Sequence, residues 1–403
     1  MWRGCHTLSK QTFYKFCNQH YFMKNEKKIF DYSLDADEET LRQFKECYSQ
    51  NFVTSAALMP DAHRGYVAPI GAVLATKGYI LPSWVGFDIG CGMIAVRIKG
   101  KDIFSKVKNN INKIYDKVLK EIPMGVGNTN KEKYITEKTK ENFKKLLDKF
   151  KQGPYDKNIF NFLRDAALRH IGTLGGGNHF IELGFYKKEI WLIIHSGSRG
   201  IGHRLAKKYM ISASKSETDY EKTFPLDVKS QLGKEYLNVL DFGLEYALLN
   251  RLEMSYKLIK ILEEVLKEKL KTELWVNKNH NHAILEKGLY IHRKGATPAK
   301  KGERGIIPGN MRDGSFLVVG LGNPKFLYSS SHGAGRSLSR KEAKEKISME
   351  SFKKSMEGIK GTISIKTLDE APMAYKDINK IMKAQEKSVK ITKHISPIIN
   401  WKG

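Results

Sequence analysis

The stretch "FVTSAALMPDAHRGYVAPIGAVLAT", residues 52–76, contains two short β-prone runs separated by Pro, Asp and Gly. A third run of the same kind, "GMIAVRI", ends at Ile98. Across about residues 101–169, apolar residues then recur three or four positions apart with lysines between them, which is typical of amphipathic helices. Because strands and helices come in blocks and do not alternate strictly, the sequence predicts an α+β fold and not a doubly wound parallel sheet.

The rest of the chain continues this mixture. Strands are predicted in "NHFIELGF", "EIWLIIHSG", "ELWVN", "GLYIHR", "SFLVVGLG" and the tail "VKITKHISPIINWKG", and helices over 38–49, about 233–270 with a break near Gly243, 340–357 and 376–388. The chain shows no internal repeat and no low-complexity linker, so a single intertwined domain over residues 23–403 is expected. Residues 1–22 are interpreted as an N-terminal extension of uncertain order, with Met23 as the natural start.

The chain is strongly basic. Its 403 residues include 70 Lys and Arg against 43 Asp and Glu, which gives a formal charge of +27. A polyanionic partner such as nucleic acid is the functional interpretation. A biased composition is the alternative, since Lys, Asn and Ile are abundant throughout. Apolar residues make up 41% of the chain, which is enough for a sizeable core.

Cysteine use and hydropathy indicate the compartment. Cys5, Cys17, Cys47 and Cys91 form no disulfide spacing and no CxxC motif, which favours a reducing environment. No apolar run is long enough for a membrane helix, and the N-terminus lacks the apolar region of a signal peptide. We therefore expect a cytoplasmic protein with no membrane partner, and a monomer.

Potential metal ligands cluster in short turns beside strand-like runs. These turns are "MPDAHRG" with Asp61 and His63, "VGFDIGCGM" with Asp88 and Cys91, "GTLGGGNHFIE" with Asn178, His179 and Glu182, "IIHSGSRG" with His195 and Arg199, and "NKNHNHAILE" with His280, Asn281 and His282. Rigid strands that deliver such side chains from several loops suit a metal site. Thiolate and imidazole favour zinc, whereas added carboxylates also admit manganese or iron, and the residues alone leave this choice open.

The loop "YSSSHGAGRSLSR", residues 328–340, places His332 among small residues, with Arg336 and Arg340 after it. The chain has no P-loop and no GxGxxG motif, so a nucleotide would be bound by other loops. Small residues permit close approach of a ligand and arginines suit oxyanions, although a plain surface loop is the alternative. Histidine can attack phosphorus while nearby cations stabilise the phosphoryl charge, which makes His332 the candidate nucleophile.

At these residues the chain resembles the RtcB family of RNA-splicing ligases. The resemblance runs from about Met59 to the last residues and is carried, in this order, by "MPDAHRG", "VGFDIGCGM", "GTLGGGNHFIEL", "HSGSRGIG", "HN", "HRKGAT", "IIPGNM", "SHGAGRSLSR", "AYKDI" and the terminal "KG". It implies mixed β-sheets around a central metal and nucleotide cleft. It also implies a GTP- and manganese-dependent ligase that joins an RNA 3′-phosphate or 2′,3′-cyclic phosphate to a 5′-hydroxyl end through a histidine–GMP intermediate, in RNA repair or tRNA splicing.

The resemblance also implies roles for individual residues. His332 corresponds to the histidine nucleophile. The ligands of what would be two Mn²⁺ ions correspond to Asp88, Cys91, His179, His195 and His280. Contacts to GTP correspond to Asn178, Phe180, Glu182, Asn310, Ser315, Ala334, Gly335, Tyr375 and Lys402. Basic residues associated with RNA ends correspond to Arg199, Arg336 and Arg340. An archease-type protein is the candidate activator.

Some features depart from the family pattern. Asn310 in "PGNM" stands where the family usually has serine, and His282 stands where an aromatic or aliphatic residue is usual. The first 58 residues match only loosely. These departures indicate a divergent branch, dedicated to RNA repair rather than tRNA splicing. Two alternatives stay open: a guanylyltransferase that caps 3′-phosphate ends without efficient joining, and a catalytically inactive RNA-binding homologue. The complete ligand set and His332 argue against the second.

Overall fold

The computed structural model describes residues 22–24 and 27–403. In this part of the chain the strands are β1 (Phe22–Lys24), β2 (Lys27–Asp31), β3 (Val53–His63), β4 (Ile70–Thr76), β5 (Tyr79–Ile80), β6 (Gly92–Lys99), β7 (Phe180–Tyr186), β8 (Glu189–Ser196), β9 (Leu226–Asp227), β10 (Lys271–Asn279), β11 (Asn281–Glu286), β12 (Leu289–Lys294), β13 (Ala296–Pro298), β14 (Arg304–Pro308), β15 (Ser315–Gly320), β16 (Ser329–Ser331), β17 (Lys360–Gly361) and β18 (Val389–Lys402). The predicted extension lies outside the described residues except for Phe22, as do Cys5 and Cys17.

The α-helices lie mainly in two blocks, in the middle of the chain and near its end. They are α1 (Glu38–Ser49), α2 (Pro82–Val85), α3 (Ile103–Asn109), α4 (Ile111–Glu121), α5 (Glu137–Gln152), α6 (Lys157–Ala166), α7 (Arg199–Ser214), α8 (Gln231–Leu266), α9 (Arg340–Lys346), α10 (Met349–Ser355) and α11 (Ile378–Ala384). The predicted α+β class is confirmed. Among the described residues, no helix combines the length and apolar character needed to cross a bilayer.

Two mixed sheets form the framework. The larger has the strand order β10-β6-β8-β7-β18-β15-β14, with β17 beside β18. The smaller has the order β1-β2-β3-β4-β12-β11. Strands β10 and β11 are separated in the chain only by His280, yet they belong to different sheets. The chain therefore crosses from one sheet to the other at a predicted metal ligand.

The two faces of the larger sheet have different neighbours. One face packs on α3, α4 and α8 through buried aliphatic residues such as Ile94, Val107 and Leu258. The opposite face carries a separate buried cluster that includes Met93, Phe180 and other alternate residues of the same strands. Because side chains alternate along a strand, residues two positions from these lie on that same face. Cys91, Glu182 and His195 are thus directed away from the helices.

The long helix α8 runs without interruption past Gly243, so the predicted break at this glycine is wrong. A Cβ on Gly243 would lie 2.7 Å from Cγ2 of Ile89. The glycine therefore permits close packing of the loop that contains Asp88 and Cys91 against the helix, and a helix tolerates one glycine at a cost of about 1 kcal/mol.

Candidate active site

A cavity of about 670 Å³ is lined by residues of both sheets and of the His332 loop. Most of the predicted site residues lie on its wall: Asp88, Cys91, Asn178, Phe180, His195, His280, Asn310, His332, Ala334, Gly335, Arg336, Arg340, Tyr375 and Lys402. The other four predicted residues do not line the cavity: His179 contacts Asp88 and Cys91, Arg199 contacts His179, and Glu182 contacts Ser315 and the lining residue Asn400. One cavity thus brings together residues that are more than 300 positions apart in the chain.

Two groups of potential metal donors meet at Cys91. Cys91, His195 and His280 form one group, and Asp88, Cys91 and His179 form the other, with donor atoms within 4.8 Å of one another in each. The Cys91 thiol lies 3.2 Å from Nε2 of His195 and 3.4 Å from Nε2 of His179. Cys91 thus belongs to both groups, and together they contain the five residues that the resemblance implied as ligands.

The hydrogen bonding of these donors fits a bound cation. Nδ1 of His195 donates to the carbonyl of Asn178 at 3.2 Å, which leaves Nε2 as a lone-pair donor. That Nε2 lies 3.2 Å from Nε2 of His280, so two ring nitrogens face each other beside a thiol. Burial lowers the pKa of both imidazoles, which keeps them neutral and able to bind a metal. Burial also raises the pKa of the Cys91 thiol, so binding of an ion would release a proton.

Asp88 and His179 form the outer edge of the donor set. Nε2 of His179 lies 3.0 Å from Oδ2 of Asp88, while Oδ1 of Asp88 is buried without a hydrogen-bond partner among the described residues. Burial opposes ionisation of Asp88, but its bond to His179 and the positive charges nearby bring its pKa below the ordinary value. Nη1 of Arg199 donates to Nδ1 of His179 at 3.1 Å. Since this contact leaves the proton on Nε2, ligation through Nε2 requires Arg199 to release the ring.

His332 is held by a buried carboxylate that was grouped with the potential metal ligands in the sequence. Nδ1 of His332 lies 2.7 Å from Oδ2 of Asp61, and that oxygen also accepts from the backbone N–H groups of His332 and Gly333 at 3.2 and 3.3 Å. The ring centroid of His332 is 4.9 Å from that of His280. A Cβ on Gly335 would lie 2.2 Å from the carbonyl oxygen of Asp61, so the small residue permits this close approach.

The C-terminal strand builds the other end of the cavity. In the register of β18 and β7, Lys402 pairs with Phe180 and Asn400 pairs with Glu182. Glu182 is 1% exposed, and its carboxyl group accepts from Ser315 at 3.1 Å and from Asn400 at 3.3 Å. Burial raises the pKa of Glu182 to about 8, so this side chain is protonated at neutral pH.

Glu370, which was not predicted from the sequence, forms ion pairs with the basic residues at this end of the cavity. Its carboxylate accepts from Lys402 at 2.6 Å, from Arg340 at 2.7 Å and from the hydroxyl of Tyr375, and Arg336 lies 3.3 Å away. Burial opposes ionisation, but Lys402 and Arg340 lower the pKa of Glu370 to about 2. Four predicted ligand-binding residues are therefore positioned by one carboxylate.

Arg251, in the middle of α8, supports the metal donors from behind. It is fully buried, and its guanidinium group donates to the carbonyls of Gly90 and Ser196 at 2.9 and 2.8 Å and to Oδ1 of Asn279 at 2.6 Å. These three residues directly precede or follow three of the donors in the chain. A helix periodicity predicts that such a position is buried but does not reveal what it contacts, so sequence reasoning missed this arginine.

Comparison with known proteins identifies the family of this chain. The sequence model described as tRNA-splicing ligase RtcB matches residues 43–403. The chain belongs to the RtcB family. An Escherichia coli protein named RNA-splicing ligase RtcB1 is 33% identical over 369 residues, which cover 86% of this chain and 90% of the relative. A Nanoarchaeum equitans protein named tRNA-splicing ligase RtcB is 30% identical over 435 residues, covering 87% of this chain and 88% of that protein.

The two residues that depart from the RtcB pattern, Asn310 and His282, each form hydrogen bonds within the fold. Asn310 lies on the cavity wall, but its amide group donates to Asp313 at 2.7 Å and its oxygen accepts from two backbone N–H groups of the same turn. His282 is buried, and its Nε2 accepts from Arg293 at 3.3 Å. Among the described residues, neither donor group includes His282. Both side chains thus have partners of their own within the fold.

Proposed function

We propose that this protein is an RNA ligase that uses GTP and manganese to join an RNA 3′-phosphate or 2′,3′-cyclic phosphate end to a 5′-hydroxyl end. The observation that carries the proposal is the placement of His332, oriented by Asp61, beside the two donor groups in one cavity. Membership of the RtcB family and relatives named as RNA-splicing or tRNA-splicing ligases support it.

The nucleophile is the Nε2 atom of His332. Because Nδ1 donates its proton to Asp61, Nε2 keeps a lone pair and attacks the α-phosphorus of GTP. The new N–P bond forms as the bond to pyrophosphate breaks. A 2′,3′-cyclic phosphate end is first opened by water, which adds to the phosphorus and releases the 2′-oxygen as a hydroxyl. An oxygen of the RNA 3′-phosphate then displaces His332 from the GMP phosphorus. The 5′-hydroxyl finally attacks the RNA 3′-phosphate, loses its proton and releases GMP.

The residues Asp88, Cys91, His179, His195 and His280 would hold the manganese ions. Bound divalent ions supply Lewis-acid stabilisation of the phosphate charge. Cys91 would contribute to both groups of donors, and Arg251 and Asn178 hold the segments that carry the donors in place. Arg199, Arg336 and Arg340 would contact the phosphates at the RNA ends.

Guanine is recognised at the end of the cavity built by β7 and β18. The carboxylate of Glu182 would accept from the N1–H and amino groups of guanine, with Asn178, Phe180, Ser315, Ala334, Gly335 and Tyr375 completing the nucleotide contacts. Lys402 would donate to the guanine O6. Adenine presents an acceptor at N1, so it would leave buried polar groups unpaired. Asn310 is the residue at which this pocket would differ from other family members.

A joining assay tests the proposed function. Purified protein is incubated with Mn²⁺, GTP and two RNA strands, one ending in a 3′-phosphate and one in a 5′-hydroxyl. Joined RNA that requires both GTP and Mn²⁺ is the expected product. Accumulation of a 3′-GMP-capped strand without joined RNA would favour the capping alternative. Absence of both products, even with an archease-type activator, would favour the inactive RNA-binding homologue and contradict the proposal.

Asp61→Asn should slow formation of the protein–GMP adduct by about 10²-fold or more, because the neutral amide no longer stabilises the charged ring or fixes its tautomer. Single-turnover labelling with GTP measures the rate. The concentration of GTP at half-maximal rate and the bound manganese should both stay near the wild-type values, since Asp61 contacts His332 and not the donors. An unchanged rate would show that Asp61 does not orient the nucleophile.

Binding of GTP at pH 7 should release about one proton, because Glu182 is protonated in the free protein and accepts from guanine as a carboxylate. The folded-state pKa of about 8 is raised, so the apparent GTP affinity should increase as the pH rises toward 8 and level off above it. Calorimetry in buffers of different ionisation enthalpy counts the proton. Glu182→Gln should abolish this release and reduce the preference for GTP over ATP. Release that persists in the variant would contradict the assignment.

A further inference from the structure

Three aromatic rings form a continuous surface on the cavity wall, beyond the metal donors. Tyr66 packs edge-to-face on Phe87 with ring centroids 5.6 Å apart, and Phe87 stacks on His203 at 4.7 Å with an interplanar angle of 18°. All three residues line the cavity. We call these three residues the aromatic ledge. Tyr66 is 72% exposed, so one large ring of the ledge is open to a ligand.

The aromatic ledge and the guanine-binding end are formed by different residues of the cavity wall. Phe87 directly precedes Asp88, and Tyr66 follows His63 by three positions on the loop after β3. At the other end, the ring of His195 lies 5.7 Å from that of Phe180, which lies below the amine of Lys402. None of the three ledge residues is among the proposed nucleotide contacts.

The surroundings of the ledge suit a polyanion that carries a ring. Arg64 lines the cavity beside Tyr66, and Lys207 lies 5.7 Å from the ring of Tyr220, another lining residue. Glu221, which follows Tyr220, also lines the wall, as does Asp88. Nucleobases stack on protein aromatics irrespective of sequence, and adjacent cations bind the backbone. An isolated exposed tyrosine would need no explanation, but this tyrosine belongs to a ring cluster at a reactive centre.

We propose that the aromatic ledge is a binding subsite for the terminal nucleobase of a single-stranded RNA end, with Tyr66 as the principal stacking residue. This inference rests on the proposed RNA ligase function and adds a substrate contact to it. Stacking beside Asp88 would place the terminal phosphate or hydroxyl group of that nucleotide toward the donors and His332. The terminal base belongs either to the 3′-phosphate strand or to the 5′-hydroxyl strand, and the experiment separates the two.

The test measures RNA binding and base stacking on the full-length, Mn²⁺-loaded protein without GTP. One oligoribonucleotide carries 2-aminopurine as the 3′-terminal base next to a 3′-phosphate, and a second carries it as the 5′-terminal base with a 5′-hydroxyl. Quenching of one probe on binding identifies the strand. Tyr66→Ala should remove that quenching and weaken binding about 10-fold, whereas Tyr66→Trp should retain both. Tyr134→Ala is the matched control, because Tyr134 is 58% exposed and is not among the residues that line the cavity.

An abasic terminal nucleotide distinguishes stacking from a structural effect. Wild-type protein should bind the abasic strand about as weakly as Tyr66→Ala does, and the substitution should have no further effect on that strand. Equal losses on base-containing and abasic strands, or undiminished quenching by Tyr66→Ala of the probe that the wild-type protein quenches, would overturn the proposal. The variant should form the GMP adduct at the wild-type rate. If the joining rate of Tyr66→Ala depends on RNA concentration as that of the wild type does, the ledge assignment fails while the ligase proposal stands. If the wild-type protein itself forms no GMP adduct, the ligase proposal fails instead.

Discussion

His332→Ala should reduce transfer of GMP to the protein to less than about one part in 10³ of the wild-type amount, because no bond to phosphorus can form without the nucleophile. The substitution should abolish formation of the nitrogen–phosphorus bond and should leave folding and metal content unchanged. The ring of His332 lies beside His280 but belongs to neither donor group. Bound manganese should therefore stay close to the wild-type level.

The matched control is His394→Ala. His394 is exposed, stacks on Phe316 and lies away from the cavity wall, so its loss should leave adduct formation unchanged. Labelling with α-³²P-GTP under neutral or alkaline conditions preserves a phosphorus–nitrogen bond and allows comparison of the two variants. Undiminished labelling of His332→Ala would remove this residue from the role of nucleophile.

Cys91→Ala should have the second large effect, because Cys91 belongs to both groups of potential metal donors. Its removal is expected to weaken manganese binding at both positions by at least about 100-fold and to abolish adduct formation with it. His280→Ala should instead affect one position, since His280 belongs to one group only. The stoichiometry of bound Mn²⁺, measured by titration and elemental analysis, separates these outcomes.

Alkylation of the wild-type protein provides an independent readout. Manganese should protect Cys91, because a coordinated thiolate is a poor free nucleophile, and the reactivity of Cys5, Cys17 and Cys47 should not depend on the metal. Cys47 lies in a different buried cluster, so Cys47→Ala serves as the control and should retain full metal content. If Cys91 reacts equally fast with and without Mn²⁺, it is not a ligand and the centre must be assigned to other side chains.

Local sequence patterns were sufficient to predict most of the elements that carry the site. Helix α1 spans the predicted residues 38–49, and the tail forms a single strand, β18. Asp88, Cys91, His179 and His195 were singled out because each lies in or beside a glycine-containing turn next to an apolar run. Nothing in the spacing of Asp88 and His280 shows that they converge, so the composition of the site followed from the family resemblance, and its geometry follows from the two sheets.

The supporting residues could not be predicted because their partners are distant in the chain. Asp61 is 271 positions from His332, and Arg251 reaches back 161 positions to Gly90. In the sequence, nothing distinguishes Glu370 from the acidic residues near it. The structure shows that Lys402 and Arg340 both donate to its carboxylate. The interpretation of Gly243 as a break failed for the same reason, since its role is contact with Ile89 and not local flexibility. The single domain over 23–403 stays a prediction.

Lys294 is the strongest rival nucleophile on the cavity wall. Its amine is buried and donates to the carbonyl of Val85 at 2.9 Å, and burial lowers its pKa to about 8. A lysine with a lowered pKa can also form a bond to phosphorus. The nucleophile must therefore be identified by locating the GMP on the wild-type chain.

The most direct measurement is peptide mapping of the GMP adduct, followed by its transfer to RNA. Wild-type protein is labelled with GTP and Mn²⁺ and digested with trypsin at neutral pH, and the modified peptide is sequenced by mass spectrometry. GMP is expected on His332, within the peptide over residues 326–336, and it should be lost when an RNA with a 3′-phosphate is added. GMP on Lys294 or on any other residue, or an adduct on His332 that RNA does not discharge, would contradict this expectation.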